Sequence, residues 1–255
     1  MDSRLLLHII DSVYSPKIIL IIGRMLLNYL NLRKASKIFV IGFNKTGTRS
    51  IHTIFKKIGL PSYHGGKWRS CDNMRLFRLY DCFSDGTPRS IARLDELFPG
   101  ARFILQVREL DSWILSRLAH IERLKRKGRH KGVNTWDTTE YAIHNWIKRR
   151  NDYHINVLTY FYKRDDLLII NYIRDEHASR KICQFIGYSR YIPKPRKNID
   201  PERKRPDIYV EMLYKCAKEL NIPDNELKYD IFCPSLANMD IYGHLPYDTS
   251  LLQMQ

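Results

Sequence analysis

Acidic residues are the scarce ones in this chain: 27 Asp and Glu stand against 43 Lys and Arg over 255 residues, a formal net charge of +16. Such a balance points to an anionic partner, whether nucleotide, nucleic acid, acidic glycan or lipid surface, and does not choose among them. Cysteine is sparse and unpatterned. The five residues Cys71, Cys82, Cys183, Cys216 and Cys233 include no Cys-x-x-Cys pair, so neither a disulfide framework nor a zinc site is expected, and a reducing compartment is the simpler reading. Internal repeats and low-complexity segments are missing. So is any uninterrupted apolar run of the roughly 20 residues that a spanning helix needs. Within residues 1–34, the runs 5–10 and 18–22 are separated by Asp11, Ser12, Pro16 and Lys17, and Arg24 breaks the second. No small-residue cleavage site follows the first run, which speaks against a cleavable signal peptide. Residues 1–34 are therefore expected to form an amphipathic helical segment packed on the core, with peripheral membrane contact as the second reading, in a cytoplasmic protein.

The length suits one large α/β domain. The expected organisation is an N-terminal helical segment (1–34), an α/β core (35–200) and a C-terminal helical extension of the same domain (201–255). Around one stretch, 37–51, the rest is arranged. Residues 38–42 are an apolar run of strand length; Asn44, Lys45 and Gly47 make a turn; Ser50, Ile51, Ile54, Phe55 and Ile58 then recur at helical spacing. Strand, glycine-bearing loop and helix in that order suit an anion, because the first helix amides lack internal partners and the helix dipole adds positive potential there. Lys45 adds a mobile charge. A nucleoside-triphosphate loop reads Gly-x-x-x-x-Gly-Lys-Ser/Thr. Here Gly42 and Gly47 have that spacing, but Thr48 and Arg49 occupy the last two positions, and the loop lysine precedes the second glycine.

Further strands are expected near 80–84, 102–107 and 167–170, with helices near 74–80, 89–98, 178–186 and 208–220 and a long one from about 136 to 161. The strand 102–107 ends in Arg108, and Ser116 follows eight residues later on the ensuing helix. An arginine fork and a hydroxyl at a strand end can grip a monophosphate. The basic run 123–131 reads either as a solvated loop or helix end or as a strip that receives an anionic acceptor. A Pro-x-Pro-x-x-Asn loop at 193–198 carries Arg196 and Lys197.

Three blocks in order resemble the sulfotransferases that use 3′-phosphoadenosine-5′-phosphosulfate (PAPS). They are Phe-Asn-Lys-Thr-Gly-Thr-x-Ser at 43–50, the Arg108 to Ser116 spacing, and the Leu-Leu-Ile-Ile-Asn to Pro-x-Pro-x-x-Asn region up to Asn198. That resemblance implies a P-loop-type three-layer α/β fold with a central parallel sheet flanked by helices. It implies a donor loop of Asn44, Lys45, Thr46, Gly47, Thr48, Arg49 and Ser50, of which Arg49 replaces the family's usual small hydroxyl residue. It implies a 3′-phosphate site at Arg108 and Ser116, with Arg196 and Lys197 on a loop that folds over the nucleotide. The implied reaction is sulfuryl transfer from PAPS to a hydroxyl or amine, with 3′-phosphoadenosine-5′-phosphate (PAP) as product.

Lys45 and the loop amides suit the negative charge that grows on the leaving phosphate. A sulfuryl group carries less charge than a phosphoryl group, so no metal is required, and no apolar strand ends in a magnesium-binding aspartate. A base must take the acceptor's proton. Asp85, after the strand 80–84, is the preferred candidate, His64 the second and His52 a distant third. Two other readings stand beside this one: a P-loop nucleotide-dependent phosphotransferase, and a basic protein that binds nucleic acid or nucleotide without catalysis.

Overall fold

The computed structural model describes residues 16–30, 32, 35–130, 136–189, 192–195 and 206–237; Arg196, Lys197 and the tail beyond 237 lie outside the described residues. In chain order the regular elements are α1 (Pro16–Tyr29), β1 (Ile38–Val40), α2 (Thr48–Lys57), β2 (Ser62–His64), α3 (Met74–Leu79), β3 (Cys82–Ser84), α4 (Ile91–Leu97) and β4 (Arg102–Gln106). There follow α5 (Leu110–Arg126), α6 (Glu140–Tyr160), β5 (Leu167–Ile170), α7 (Ala178–Phe185) and α8 (Asp207–Glu219). The chain divides into two compact units, Met1–Gln106 with Asp166–Lys197 and Val107–Asp165 with Asn198–Gln255. This division cuts across the 35–200 segment.

The first unit contains the sheet. Its order is β2-β3-β1-β4-β5 and every pairing is parallel. Such sheets bury both faces, which explains why β1 and β4 read as nearly continuous apolar runs; the edge strand β2, Ser62–His64, is half-buried and polar. Side chains alternate across the pleat. Ile38 and Val40 join Ile51, Ile54 and Phe55 of α2 and Ile182 and Cys183 of α7 on one face. Phe39 faces the other way, where its ring meets Phe83 at 5.3 Å, Phe103 at 5.5 Å, Trp68 at 5.8 Å and Phe77 at 6.1 Å between centroids. Full burial of such a side chain is worth about 2–3 kcal/mol, which makes Phe39 the centre of that layer. Side chains cap the shorter helices on this face: Asn73 accepts from Leu76 N at the start of α3, and Ser90 from Arg93 N at the start of α4. The result is the expected α/β architecture, a central parallel sheet flanked by helices.

The second unit is built from α5, α6 and α8 with the short 3₁₀ turns Asp224–Lys228 and Pro234–Leu236. Arg150 is buried at its centre and donates to the carbonyls of Arg108 (3.2 Å) and Tyr229 (2.8 Å). Arg117 lies against the rings of Trp113, Trp136 and Trp146 at 4.8, 4.4 and 4.3 Å from their centroids. Burial pushes its guanidinium pKa down to about 9. The basic run begins as the last turn of α5, where Lys125 pairs with Asp137 at 2.6 Å, so its first part is a helix end.

α1 packs against α2 and α3, with Ile18, Ile21 and Met25 half-buried and Asn28 buried, while Ile19, Ile22, Leu26 and Leu27 are exposed. Asn28 Nδ2 donates to Asp81 Oδ1 at 2.7 Å, and Arg24 Nη1 donates to the Gly59 carbonyl at 2.6 Å. Polar side chains attach this helix because the atoms beneath it are a buried carboxylate and a helix-end carbonyl, both of which need donors. All five cysteines are free and buried.

Candidate functional site

The sheet reverses direction of growth at β1, which has β3 on one side and β4 on the other, and ligands of open α/β sheets bind at the carboxyl ends of strands at such a point. The loop that follows β1 is held there by a residue that the sequence reading passed over. Gln106, the last residue of β4, is fully buried; its Oε1 accepts from Gly42 N at 2.9 Å and its Nε2 donates to the Phe43 carbonyl at 3.5 Å. A Cβ on Gly42 would collide with the Gln106 carbonyl and side chain, so glycine is required for this approach. The available signal was a polar side chain ending an otherwise apolar strand.

Beyond Phe43 the backbone enters the left-handed region twice, at Lys45 (φ 71°) and Gly47 (φ 101°). Thr46 is buried and its Oγ1 donates to the Phe43 carbonyl at 2.5 Å, closing the loop on itself. Gly47 is the N-cap of α2 and no side chain caps the helix, while its carbonyl accepts from Ser50 N (2.9 Å) and Ile51 N (3.1 Å). Thr48 and Ser50 are buried; Arg49 between them is exposed. Asn44 and Lys45 are half-buried in the turn. On its far side the loop rests on Tyr172, which hydrogen-bonds the Pro195 carbonyl through its hydroxyl at 2.7 Å. A Cβ on Gly47 would sit 2.7 Å from the Tyr172 ring. Gly47→Ala therefore combines a left-handed φ with a ring collision; it is expected to lower stability by about 2 kcal/mol, read as an earlier midpoint in urea unfolding. A midpoint within experimental error of the parent would show that the loop does not need this conformation.

The neighbouring strand ends carry the candidate bases. His64 closes β2 and stands opposite Ser84, the last residue of β3, in the parallel register. His64 Nδ1 lies 2.9 Å from Ser84 Oγ, and Ser84 Oγ donates to the Tyr63 carbonyl at 3.4 Å. In the tautomer where Ser84 Oγ accepts the Nδ1 proton of His64, Nε2 holds the lone pair. Asp85 follows in the left-handed region (φ 90°), with Gly86 (φ 109°) next. Burial holds the His64 pKa below its ordinary value, with Asp85 opposing and Arg49 reinforcing the shift. His52 stacks on His64 at 5.4 Å and accepts or donates at Ser62 Oγ (2.8 Å). Burial, then His64, Lys56 and Arg49, bring its pKa down to about 4. Both imidazoles are neutral at pH 7. They border an open cleft of about 630 Å³ that is also lined by Lys17, Arg49, Thr53, Lys56 and Lys57.

In the second unit, Arg108 donates from Nε (3.0 Å) and Nη2 (2.8 Å) to Ser112 Oγ. Ser116 is buried one turn further along α5. The hydroxyl beside the Arg108 guanidinium is thus that of Ser112, four residues on, which the eight-residue motif does not mention. Among the described residues, one trio has metal-ligand spacing: His144, Cys216 and Glu219, with ligand atoms within 4.8 Å of one another. Burial, then Glu140 and Glu219, push the Cys216 thiol up to about 11, and Lys215 stands 4.0 Å from Glu219, so the trio carries a protonated thiol and a nearby cation.

Residues 67–184 match the family model described as "Sulfotransferase domain", a match that begins beyond the donor-type loop and His64 and takes in Asp85, Arg108 and Ser116. Among solved structures, mouse sulfotransferase SULT7A1 complexed with PAP is similar at 12% identity and a TM-score of 0.43, over 92% of this chain and 85% of that one. No curated protein sequence matches.

Proposed function

We propose that this chain, of which residues 67–184 match a sulfotransferase-domain model, moves a sulfuryl group from PAPS to a hydroxyl or amine of a carbohydrate, lipid or small metabolite. One arrangement supports the reading beyond the family match. The loop 42–47, His64 and Asp85 lie at the carboxyl ends of β1, β2 and β3, three adjacent parallel strands of one unit. The loop suits the phosphosulfate end of the donor. It offers a helix start without a side-chain cap, two left-handed turns that expose backbone, and the Lys45 ammonium. PAPS supplies an activated sulfur with a nucleotide phosphate as leaving group. Lys45, Thr48 and Ser50 are the groups placed to stabilise the charge that grows on the bridging oxygen as the sulfur–oxygen bond breaks. His64 Nε2, neutral at pH 7, takes the proton of the attacking hydroxyl as the new sulfur–oxygen bond forms. Asp85 opposes the loss of charge on His64 and so favours the imidazolium that results. The 3′-phosphate is assigned to Arg108 and Ser116, and the cover over the nucleotide to Arg196 and Lys197, on the sequence resemblance.

The test is calorimetric titration of the whole chain with PAP, with and without magnesium, alongside ATP. A dissociation constant on the order of micromolar for PAP, unchanged by magnesium, is expected. Magnesium-dependent ATP binding with no response to PAP would overturn the reading in favour of a phosphotransferase.

A further inference from the structure

α1 is apolar nearly all round: Ile18, Ile21 and Met25 are half-buried, and on that side Arg24 and Asn28 hydrogen-bond to Gly59 and Asp81. Its outer stripe, Ile19, Ile22, Leu26, Leu27 and, just past its end, Leu30, is 42–58% exposed. A helix normally buries that stripe because exposing it forfeits the main driving force for folding. Exposed contiguous apolar surface on this scale marks a docking face. What docks is indicated by charge. The cleft that opens at the first turn of α1 is lined by Lys17, Arg49, Lys56 and Lys57 with His52 and His64, and no carboxylate is among its lining residues. A second copy of the chain would bring +16 against +16, which disfavours self-association through this side. An apolar outer face with cations clustered at the helix's first turn suits a helix lying in a membrane interface. At 14 residues, α1 is about 21 Å long, and no described helix is long and apolar enough to cross a membrane.

We infer that α1 and the adjoining cationic cleft form a docking surface for a lipid bilayer rich in anionic headgroups, with the apolar stripe inserted at the headgroup boundary. The inference does not require the transferase reading, but its cleft includes Arg49 and His64, which that reading also uses. Insertion and charge should contribute together, as they do when one weak signal does not suffice for stable attachment.

The experiment is co-sedimentation of the full chain with phosphatidylcholine vesicles, with and without phosphatidylserine, compared with Ile22→Gln/Leu26→Gln and Lys56→Gln/Lys57→Gln variants. The parent is expected to bind the mixed vesicles and to bind neutral ones far less. Ile22→Gln/Leu26→Gln should weaken binding at least about tenfold while leaving the melting temperature unchanged, because those side chains already face solvent. Lys56→Gln/Lys57→Gln should weaken it roughly 25-fold on mixed vesicles only. Three results would overturn the inference. One is failure of the parent to bind mixed vesicles. Another is a large fall in melting temperature for Ile22→Gln/Leu26→Gln with vesicle binding intact, which would mean that the chain's own N-terminal residues cover the stripe. The last is a dimeric parent made monomeric by that variant, which would make the occupant a second copy.

Discussion

Lys45→Ala is expected to lower kcat by about 10²–10³-fold, the usual consequence of removing one preorganised group from a developing oxyanion. Lys45 sits between the three hydrogen bonds that shape its loop: Gly42 and Phe43 are tied to Gln106, and Thr46 is tied back to Phe43. The scaffold does not depend on the lysine side chain for those bonds. Deleting the ammonium should therefore reduce catalysis without opening the loop. The backbone supplies a control. Lys45 adopts φ 71°, a conformation that costs any residue with a Cβ and costs glycine almost nothing. Lys45→Gly is thus expected to be at least as stable as the parent in urea unfolding and as inactive as Lys45→Ala. Lys45→Arg should recover part of the rate, because it restores charge with different reach. Steady-state sulfuryl transfer from PAPS, measured beside unfolding midpoints, separates these effects. If Lys45→Gly kept full kcat, the loop would not be the donor site, whatever its likeness to one.

Much of this loop was legible because its parts are local in sequence: strand, turn and helix start occupy fifteen residues whose spacing alone predicts the geometry. The parallel sheet was legible for a related reason. Strands buried on both faces, such as β1 and β4, read as short apolar runs, and the glycine or proline turns between them mark the breaks. What escaped depends on pairs far apart in the chain. Nothing near Gly42 announces that Gln106, 64 residues later, will hold its amide. The Ser84 hydroxyl that orients His64 lies 20 residues away, on a strand adjacent only in space. The attachment of α1 was unreadable for a different reason. A helical period fixes which residues share a face and says nothing about which face meets the protein; that choice was made by a buried Asp81 and the Gly59 carbonyl, both in need of donors. The same limit applies to Arg108, whose hydrogen bonds to Ser112, four residues on, the eight-residue spacing does not announce.

His64→Ala is expected to cost about 10²–10⁴-fold in kcat/KM, the range of a general base removed from its reaction. The pH dependence makes the assignment specific. Because burial lowers the His64 pKa, the imidazole is charged only at acid pH, and the acid limb of log kcat/KM should lie below the ordinary histidine value near 6.5. Two neighbours should move that limb in opposite directions. Asp85 raises the pKa, so Asp85→Asn should shift the limb to lower pH; asparagine tolerates the left-handed backbone at this position and should leave the turn intact. Arg49 lowers the pKa, so Arg49→Ala should shift the limb to higher pH, and an exposed side chain can be removed with little effect on stability. In His64→Gln the limb should vanish along with most of the activity. Opposed shifts from a carboxylate and a guanidinium, lost together with the imidazole, are hard to produce by any structural role for His64. Should Asp85→Asn instead abolish turnover while His64→Gln keeps both rate and acid limb, the proton goes to Asp85, and the preference drawn from the sequence alone would be restored.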